Sequence, residues 1–443
     1  MATTPVRVGV LGCGNVGGAL VQLLSTEADA ITSSTGVRLE VGGVAVRSLD
    51  KPRPPELSGD RLTTDAAALV NDPDIDVVVE LIGGIEPAGG LIVEALKAGK
   101  PVVTANKELL ASAGGELSEV AAAVGLDLLY EASVAGAIPL IRPLRESLAG
   151  ERIHRVMGIV NGTTNYILTR MSEDGVDYAA ALAEAQNLGY AESDPTADVE
   201  GHDDSAKAAI LASIAFGQDV VTGDVYREGI TAVSPPDIAF ARQLGYEIKL
   251  LAVAERVDEG GGRGRAEGEP LIAVRVHPAM VPRTHPLASV RDSFNAVFIE
   301  GEAVGELMLY GRGAGGRPTA SAVLGDLIDA AHNLRAGGGG RAAVRARAHV
   351  HPIDQLRAQY YISIDVLDRP GVLAAVAAVF GEHQVSIRSM EQVGLGDEAR
   401  LVFVTHTAVE RDVQATLGGL ARLDAVERVG GLLRVVGAEA EAG

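Results

Sequence analysis

The chain has 443 residues, of which 47% are hydrophobic and 22% charged, with a formal charge of −21. Those proportions supply two or three ordinary cores, while the acidity disfavours nucleic-acid and anionic-membrane partners, which select basic surfaces. No apolar run reaches the roughly 20 residues that span a bilayer, and Cys13, the only cysteine, excludes an internal disulfide or a cysteine-built metal site. The first predicted elements are Val6–Leu11, Val16–Leu24, Leu39–Val46, Ile75–Leu81, Leu91–Ala98 and Pro101–Thr104. Short β-branched runs alternating with Ala/Leu-rich stretches predict βαβ units and a parallel, doubly wound sheet. The strand-like run at Val6 leaves no room for a signal peptide, so a cytoplasmic protein is expected.

From about Ala137 to Tyr310, helical stretches such as Tyr178–Leu188 and Asp203–Phe216 mix with strands at Arg152–Val160, Phe294–Ile299 and Val304–Tyr310. This reads as a separate α+β domain. Glu255–Glu269 is Gly-, Arg- and acid-rich, the pattern of an exposed hairpin extension. Arg335–Arg341 holds four consecutive glycines and reads as a linker. Beyond it the order is β-α-β-β-α-β: Gln359–Val366, a helix begun by Asp368-Arg369-Pro370, Gln384–Val393, Arg400–Thr407, Arg411–Leu420 and Arg428–Val436. That is the ferredoxin-like plait, with Asp368 as N-cap and Pro370 in the first turn. The expected division is 1–137 plus 311–335, then 138–310, a linker over 336–357, and 358–437.

Gly12-Cys13-Gly14-Asn15-Val16-Gly17 is a G-x-G-x-x-G between a predicted strand and a predicted helix, the context in which this motif signals a Rossmann-type dinucleotide site. Gly12 permits the turn, Gly14 the approach of the pyrophosphate and Gly17 close helix packing. Asn15 and Val16 open the helix whose free N–H groups face phosphate. The second strand ends Val44-Ala45-Val46-Arg47-Ser48, with donors where NAD-selective sites carry a carboxylate, and Lys51 and Arg53 follow. Arg47 therefore predicts NADP, with NAD as the alternative. Cys13 is read as packing, and the His-Pro pairs at His277, His285 and His351 as loop residues without a metal-ligand set.

Substrate must be read further along the chain. Thr104-Ala105-Asn106-Lys107 closes a strand at the sheet edge where such folds bind ligands. Asn161-Gly162-Thr163-Thr164-Asn165 leads into a helix. Glu192, Asp194, Asp198, Asp203 and Lys207 crowd ahead of the apolar helix Ala208–Phe216, and Asp203 and Lys207, four apart, share a helix face. Together with Glu80-Leu81-Ile82-Gly83-Gly84, these segments make the chain resemble bacterial homoserine dehydrogenases with a C-terminal ACT domain, over about Val6–Arg335 and Gln359–Val436.

That resemblance implies three parts: a Rossmann-type NADP-binding domain, a central α+β substrate and dimerisation domain, and a ferredoxin-like ACT domain. It implies interconversion of L-homoserine and L-aspartate 4-semialdehyde on the route to threonine, methionine and isoleucine. Lys207 would exchange the proton at the reacting oxygen, Asp203 would orient it, and Lys107 would lie beside cofactor and substrate. Glu192 would bind the substrate ammonium, with Asp198 and Gly189 also at the substrate. Thr104 and Gly315 join the cofactor set. A monovalent cation such as sodium would sit on backbone oxygens at Glu131, Val134, Gly136 and Ile138. Asp368-Arg369-Pro370-Gly371 matches the effector turn of ACT domains, implying threonine feedback, and both pairing domains imply a homodimer or homotetramer. A phosphorylating aldehyde dehydrogenase would need a cysteine nucleophile in the substrate domain, which is missing. A non-catalytic NADP- and amino-acid-binding sensor remains the alternative and leaves Lys107, Glu192, Asp203 and Lys207 unexplained.

Overall fold

The structure, a computed structural model, describes residues 4–51, 53–57, 61–257, 271–339, 345–394 and 398–437. Two compact units emerge: Met1–Val156, Ala206–Asp224 and Ile299–Ala348 form the first, and Met157–Ser205, Val225–Phe298 and His349–Gly443 the second.

The first unit is built on six parallel strands, β1 (Val6–Leu11), β2 (Leu39–Ala45), β3 (Leu62–Thr63), β4 (Val77–Glu80), β5 (Val102–Thr104) and β6 (Leu128–Leu129). Their order across the sheet is β3-β2-β1-β4-β5-β6. The order reverses between β1 and β4, which opens a crevice at the carboxyl ends of those strands. Val8, Val10, Val77 and Val79 are fully buried, as strands covered by helices on both faces must be. Helix Gly316–Ala336 returns to this unit late in the chain, and Ala320, Val323 and Leu327 share a core with Leu20 and Leu24 of helix Asn15–Thr26. A Cβ on Gly316 would lie 2.8 Å from the Asn15 carbonyl oxygen, so glycine sets how closely these helices approach.

The remaining strands are β7 (Ile153–Ile159), β8 (Tyr226–Arg227), β9 (Tyr246–Val257), β10 (Leu271–Pro282), β11 (Phe294–Gly301), β12 (Gly305–Arg312), β13 (Arg357–Leu367), β14 (Ile387–Gly394), β15 (Glu398–Thr405), β16 (Ala408–Val409) and β17 (Val426–Val435). In the second unit β9 and β10 pair antiparallel in unbroken register from Tyr246↔Pro282 to Val257↔Leu271. The expected hairpin extension, 255–269, falls largely outside the described residues. β10 then pairs parallel with β17, Ala279 opposite Arg434 and Met280 opposite Val435. Beyond β17 the order β13-β15-β14 completes the plait, whose core holds Tyr360, Ile362, Ile364, Phe380 and Phe403.

Three local expectations need correction. The helix expected to begin at Asp368 begins at Val372, because Gly371 caps it with φ +91°, a left-handed geometry in which Asp368-Arg369-Pro370 stays a turn. Arg335 and Ala336, placed in the linker, belong to the preceding helix, which Gly337 ends at φ +67°. His277, read as a loop residue, lies inside β10 and is 2% exposed. No described helix is long and apolar enough to cross a membrane.

Candidate active site

The three glycines of the N-terminal loop differ in what surrounds them. Gly12 has φ +100°, and a Cβ there would meet the Leu81 carbonyl oxygen at 2.6 Å. On Gly17 it would stand 2.1 Å from the Gly12 oxygen, whereas on Gly14 it meets nothing within 4 Å. Two glycines are thus required by the protein's own backbone, and the third faces open space. Gly14 is the N-cap of helix Asn15–Thr26 and offers no side-chain cap, so the first-turn N–H groups of Asn15 and Val16 present an anion site. Arg47 is exposed just beyond β2. Arg53 does something its composition did not disclose: it donates to the Cys13 carbonyl at 2.6 Å and the Ser48 carbonyl at 3.0 Å, tying the segment after β2 to the glycine loop. Gly315, exposed at φ +119°, caps helix Gly316–Ala336.

At the carboxyl ends of β4 and β5 the side chains lock two turns together. Fully buried Glu80 accepts the Ile82 N–H at 2.7 Å, the Gly83 N–H at 3.0 Å and the Thr104 hydroxyl at 2.6 Å. Thr104 in turn accepts the Asn106 N–H at 3.0 Å, so its hydroxyl is committed internally and only its backbone is left to address a cofactor. Asn106 caps helix Lys107–Val124 through the Leu109 N–H and donates to the Gly84 carbonyl at 2.6 Å. The half-buried Lys107 is therefore launched from a rigid corner.

Glu131, Val134, Gly136 and Ile138 are all buried. The Glu131 carboxylate accepts the Leu140, Ile141 and Arg142 N–H groups at 2.5, 2.8 and 2.8 Å. Its own N–H donates to Asp326 at 2.8 Å, whose carboxyl burial pushes up to about 7. Ala135 and Gly136 both have positive φ, 56° and 55°, and a Cβ on Gly136 would meet the Gly313 oxygen at 2.3 Å. The Glu131 side chain is thus engaged by three amides of its own chain.

In the second unit, Asn161 caps helix Gly162–Asp174 and its amide nitrogen donates to Asp198 at 2.7 Å and Asp203 at 3.1 Å. Thr163 donates to the Tyr190 carbonyl at 2.7 Å, beside Gly189 at φ +76°. Asp194 caps a short turn through Thr196. The Glu192 side chain is exposed, while its carbonyl accepts from Gln186 at 3.0 Å. Lys249 donates to Asn165 at 3.1 Å and the Val290 carbonyl at 2.5 Å, and burial pulls its ammonium down to about 8. Asp203 and Lys207 lie one turn apart on helix His202–Phe216, as their spacing predicts. Lys207 is 8% exposed among buried alanines, leucine and isoleucine, where a lysine without a task is rare. Asp203, Asp198 and Glu192 belong to the second unit, Lys107, Lys207 and the glycine loop to the first.

Comparison with known proteins is consistent along the chain. Residues 12–131 match the family model described as homoserine dehydrogenase, NAD binding domain; residues 139–328 match homoserine dehydrogenase; residues 360–425 match the ACT domain. The chain is 50% identical to the homoserine dehydrogenase of Mycobacterium tuberculosis over 98% of each protein, and 49% identical to that of Corynebacterium glutamicum over 97% of this chain and 95% of the other. The crystal structure of a homoserine dehydrogenase from Thiobacillus denitrificans superposes with a TM-score of 0.90 at 40% identity, covering 98% of each chain. A hyperthermophilic archaeal homoserine dehydrogenase in complex with NADPH matches 74% of this chain and 98% of its own, with a TM-score of 0.61 at 28% identity. A glycine loop at the switch point of a doubly wound sheet and likeness at this identity over nearly the whole length lead to one conclusion: the chain belongs to the homoserine dehydrogenase family of NAD(P)-dependent oxidoreductases and carries a C-terminal ACT domain.

Proposed function

We propose that this homoserine dehydrogenase interconverts L-homoserine and L-aspartate 4-semialdehyde with NADP in preference to NAD, in the cytoplasm, on the route to threonine, methionine and isoleucine. The observation that carries the assignment of roles is the buried Lys207, one turn from Asp203. When bound, the nicotinamide supplies or accepts the hydride. Reduction leaves negative charge on the carbonyl oxygen, and the Lys207 ammonium stabilises that charge and delivers the proton; in the oxidative direction its amine takes the hydroxyl proton. Asp203 orients Lys207. Glu192 takes the substrate ammonium, with Asp198 and Gly189 completing that end, and Lys107 lies beside cofactor and substrate.

Gly12, Gly14, Asn15, Val16 and Gly17 hold the pyrophosphate, with Thr104 and Gly315 nearby. Support for NADP comes from Arg47, exposed past β2 where a carboxylate would favour NAD, and from the archaeal relative's complex with NADPH. Lower KM for NADH than for NADPH would reverse that preference. A sodium-like ion is assigned to the backbone oxygens of Glu131, Val134, Gly136 and Ile138, checked by replacing sodium with a bulky organic cation, which should lower turnover. The working division is 1–137 plus 311–335 for NADP, 138–310 for substrate and dimerisation, 336–357 as linker and 358–437 as the ACT domain, in a homodimer or homotetramer. Threonine is its effector, and millimolar threonine that changed neither activity nor melting would refute this.

NADPH oxidation by aspartate 4-semialdehyde, compared with Lys207→Ala, tests the mechanism. Collapse of turnover with cofactor binding retained supports it; unchanged turnover moves the acid to Lys107. No turnover in the unmodified protein, with salt present, would favour the sensor reading.

A further inference from the structure

The Asn161 side chain serves two groups at once. Its Oδ1 accepts the Thr164 N–H at 3.0 Å, capping helix Gly162–Asp174, and Nδ2 donates to Asp198 Oδ1 at 2.7 Å and Asp203 Oδ2 at 3.1 Å. The cap decides which end of the amide faces the helix, so both N–H groups turn to the carboxylates. Rotating the amide would set its oxygen against two anions and turn a donor onto the helix N–H. Asn161 is 4% exposed, leaving little water to compensate such a change.

The backbone beneath this residue is pinned independently. A Cβ on Gly162 would stand 2.7 Å from the Ser293 carbonyl oxygen, so the helix start rests on the turn that precedes β11. One turn further, Asn165 donates to the Asp292 carbonyl of the same turn at 2.9 Å and accepts from the buried Lys249. The anchor is stiff, and the amide it carries is oriented.

We infer that Asn161 is a positioning residue of the dehydrogenase reaction, holding Asp198 and Asp203 side by side on one amide nitrogen and thereby fixing the carboxylate that orients Lys207. This rests on the reading that Asp203 serves Lys207. The role argued for Asn161 is exerted through the two carboxylates its amide holds.

Asn161→Asp keeps the cap, because aspartate caps a helix as well as asparagine does, but replaces the two N–H groups by an oxygen set against both carboxylates. With a merely structural role, the variant keeps full turnover. With the positioning role, kcat for aspartate 4-semialdehyde reduction falls at least about tenfold, while the equilibrium Kd for NADPH, bound by the first unit, stays unchanged. Asn161→Ser, a neutral cap too short to reach both carboxylates, should behave the same way and decides the matter if the aspartate variant does not fold. Asp203→Asn is measured alongside. Collapse in Asp203→Asn with full kcat in the folded Asn161 variants overturns this inference alone. Full kcat in Asp203→Asn overturns the reading beneath it, and the inference with it.

Discussion

Replacing Arg434 by methionine removes the centre of a buried ionic cluster in the second unit. Arg434 is 2% exposed on β17 and donates through Nε to Glu410 and through Nη1 to Glu228, each at 2.9 Å. Its guanidinium also lies 5.3 Å from the Tyr226 ring centroid, and Tyr360 donates to the same Glu410 oxygen at 2.9 Å. Methionine fills much of the volume, so the dominant effect is electrostatic: a carboxylate 2% exposed at Glu410 loses its countercharge. Breaking one side of such a pair costs about 3–5 kcal/mol. For a body of this size each kcal/mol moves the melting midpoint by about 2–4 °C, giving a fall of roughly 6–20 °C. Differential scanning calorimetry reads this directly, and Glu410→Gln in the same chain should restore part of the loss. A midpoint shift under about 2 °C, or strictly additive effects in the double variant, would refute the electrostatic account.

Gly14→Ala should fold and melt like the parent, since its Cβ meets nothing within 4 Å, yet weaken NADPH binding by fluorescence titration; unchanged affinity would mean that the pyrophosphate does not approach there. Gly17→Ala, with its Cβ 2.1 Å from the Gly12 oxygen, should instead lower the melting temperature as well as cofactor affinity. Burial, reinforced by the Glu131 charge, raises the Asp326 carboxyl from 3.8 to about 7. The folded state therefore holds a proton that the unfolded chain releases, so this contribution is full below about pH 4 and lost as the pH rises through about 7. Asp326→Asn should flatten the stability curve in that window, and an identical slope in both proteins would count against the assignment.

Much of the site was legible because it is local. Gly12 and Gly17 answer two steric demands within six residues, each set by backbone of the same loop or of the segment just after β4, while Gly14 between them faces open space. The four-residue step from Asp203 to Lys207 becomes one helical turn for the same reason. What escaped depends on partners remote in sequence. His-Pro at 277 looks like a turn, but pairing of Pro278 with Leu250 keeps the segment in β10. The His277 ring, whose pKa burial lowers with Arg434 and Arg275 adding, accepts from Arg275 at 3.2 Å and faces the Pro278 carbonyl. Arg53 looked like one more positive charge for a 2′-phosphate, and nothing nearby announced that Cys13, 40 positions earlier, would accept its hydrogen bond. Asn161 was visible as part of a motif; its two carboxylate partners, 37 and 42 residues downstream, were not.

The short parallel ladder between β10 and β17 has a consequence for anyone wishing to study this enzyme without its C-terminal plait. The last strand of the plait supplies hydrogen-bonding company for Ala279 and Met280, and the Val436 N–H donates to the Met280 carbonyl at 2.9 Å. Amputating the C-terminal plait would leave β10 without its partner at Ala279 and Met280. A bare strand edge recruits other chains, so the shortened protein should be prone to precipitate. Point changes in the turn at 368–371, ahead of helix Val372–Glu382, leave the shared sheet intact.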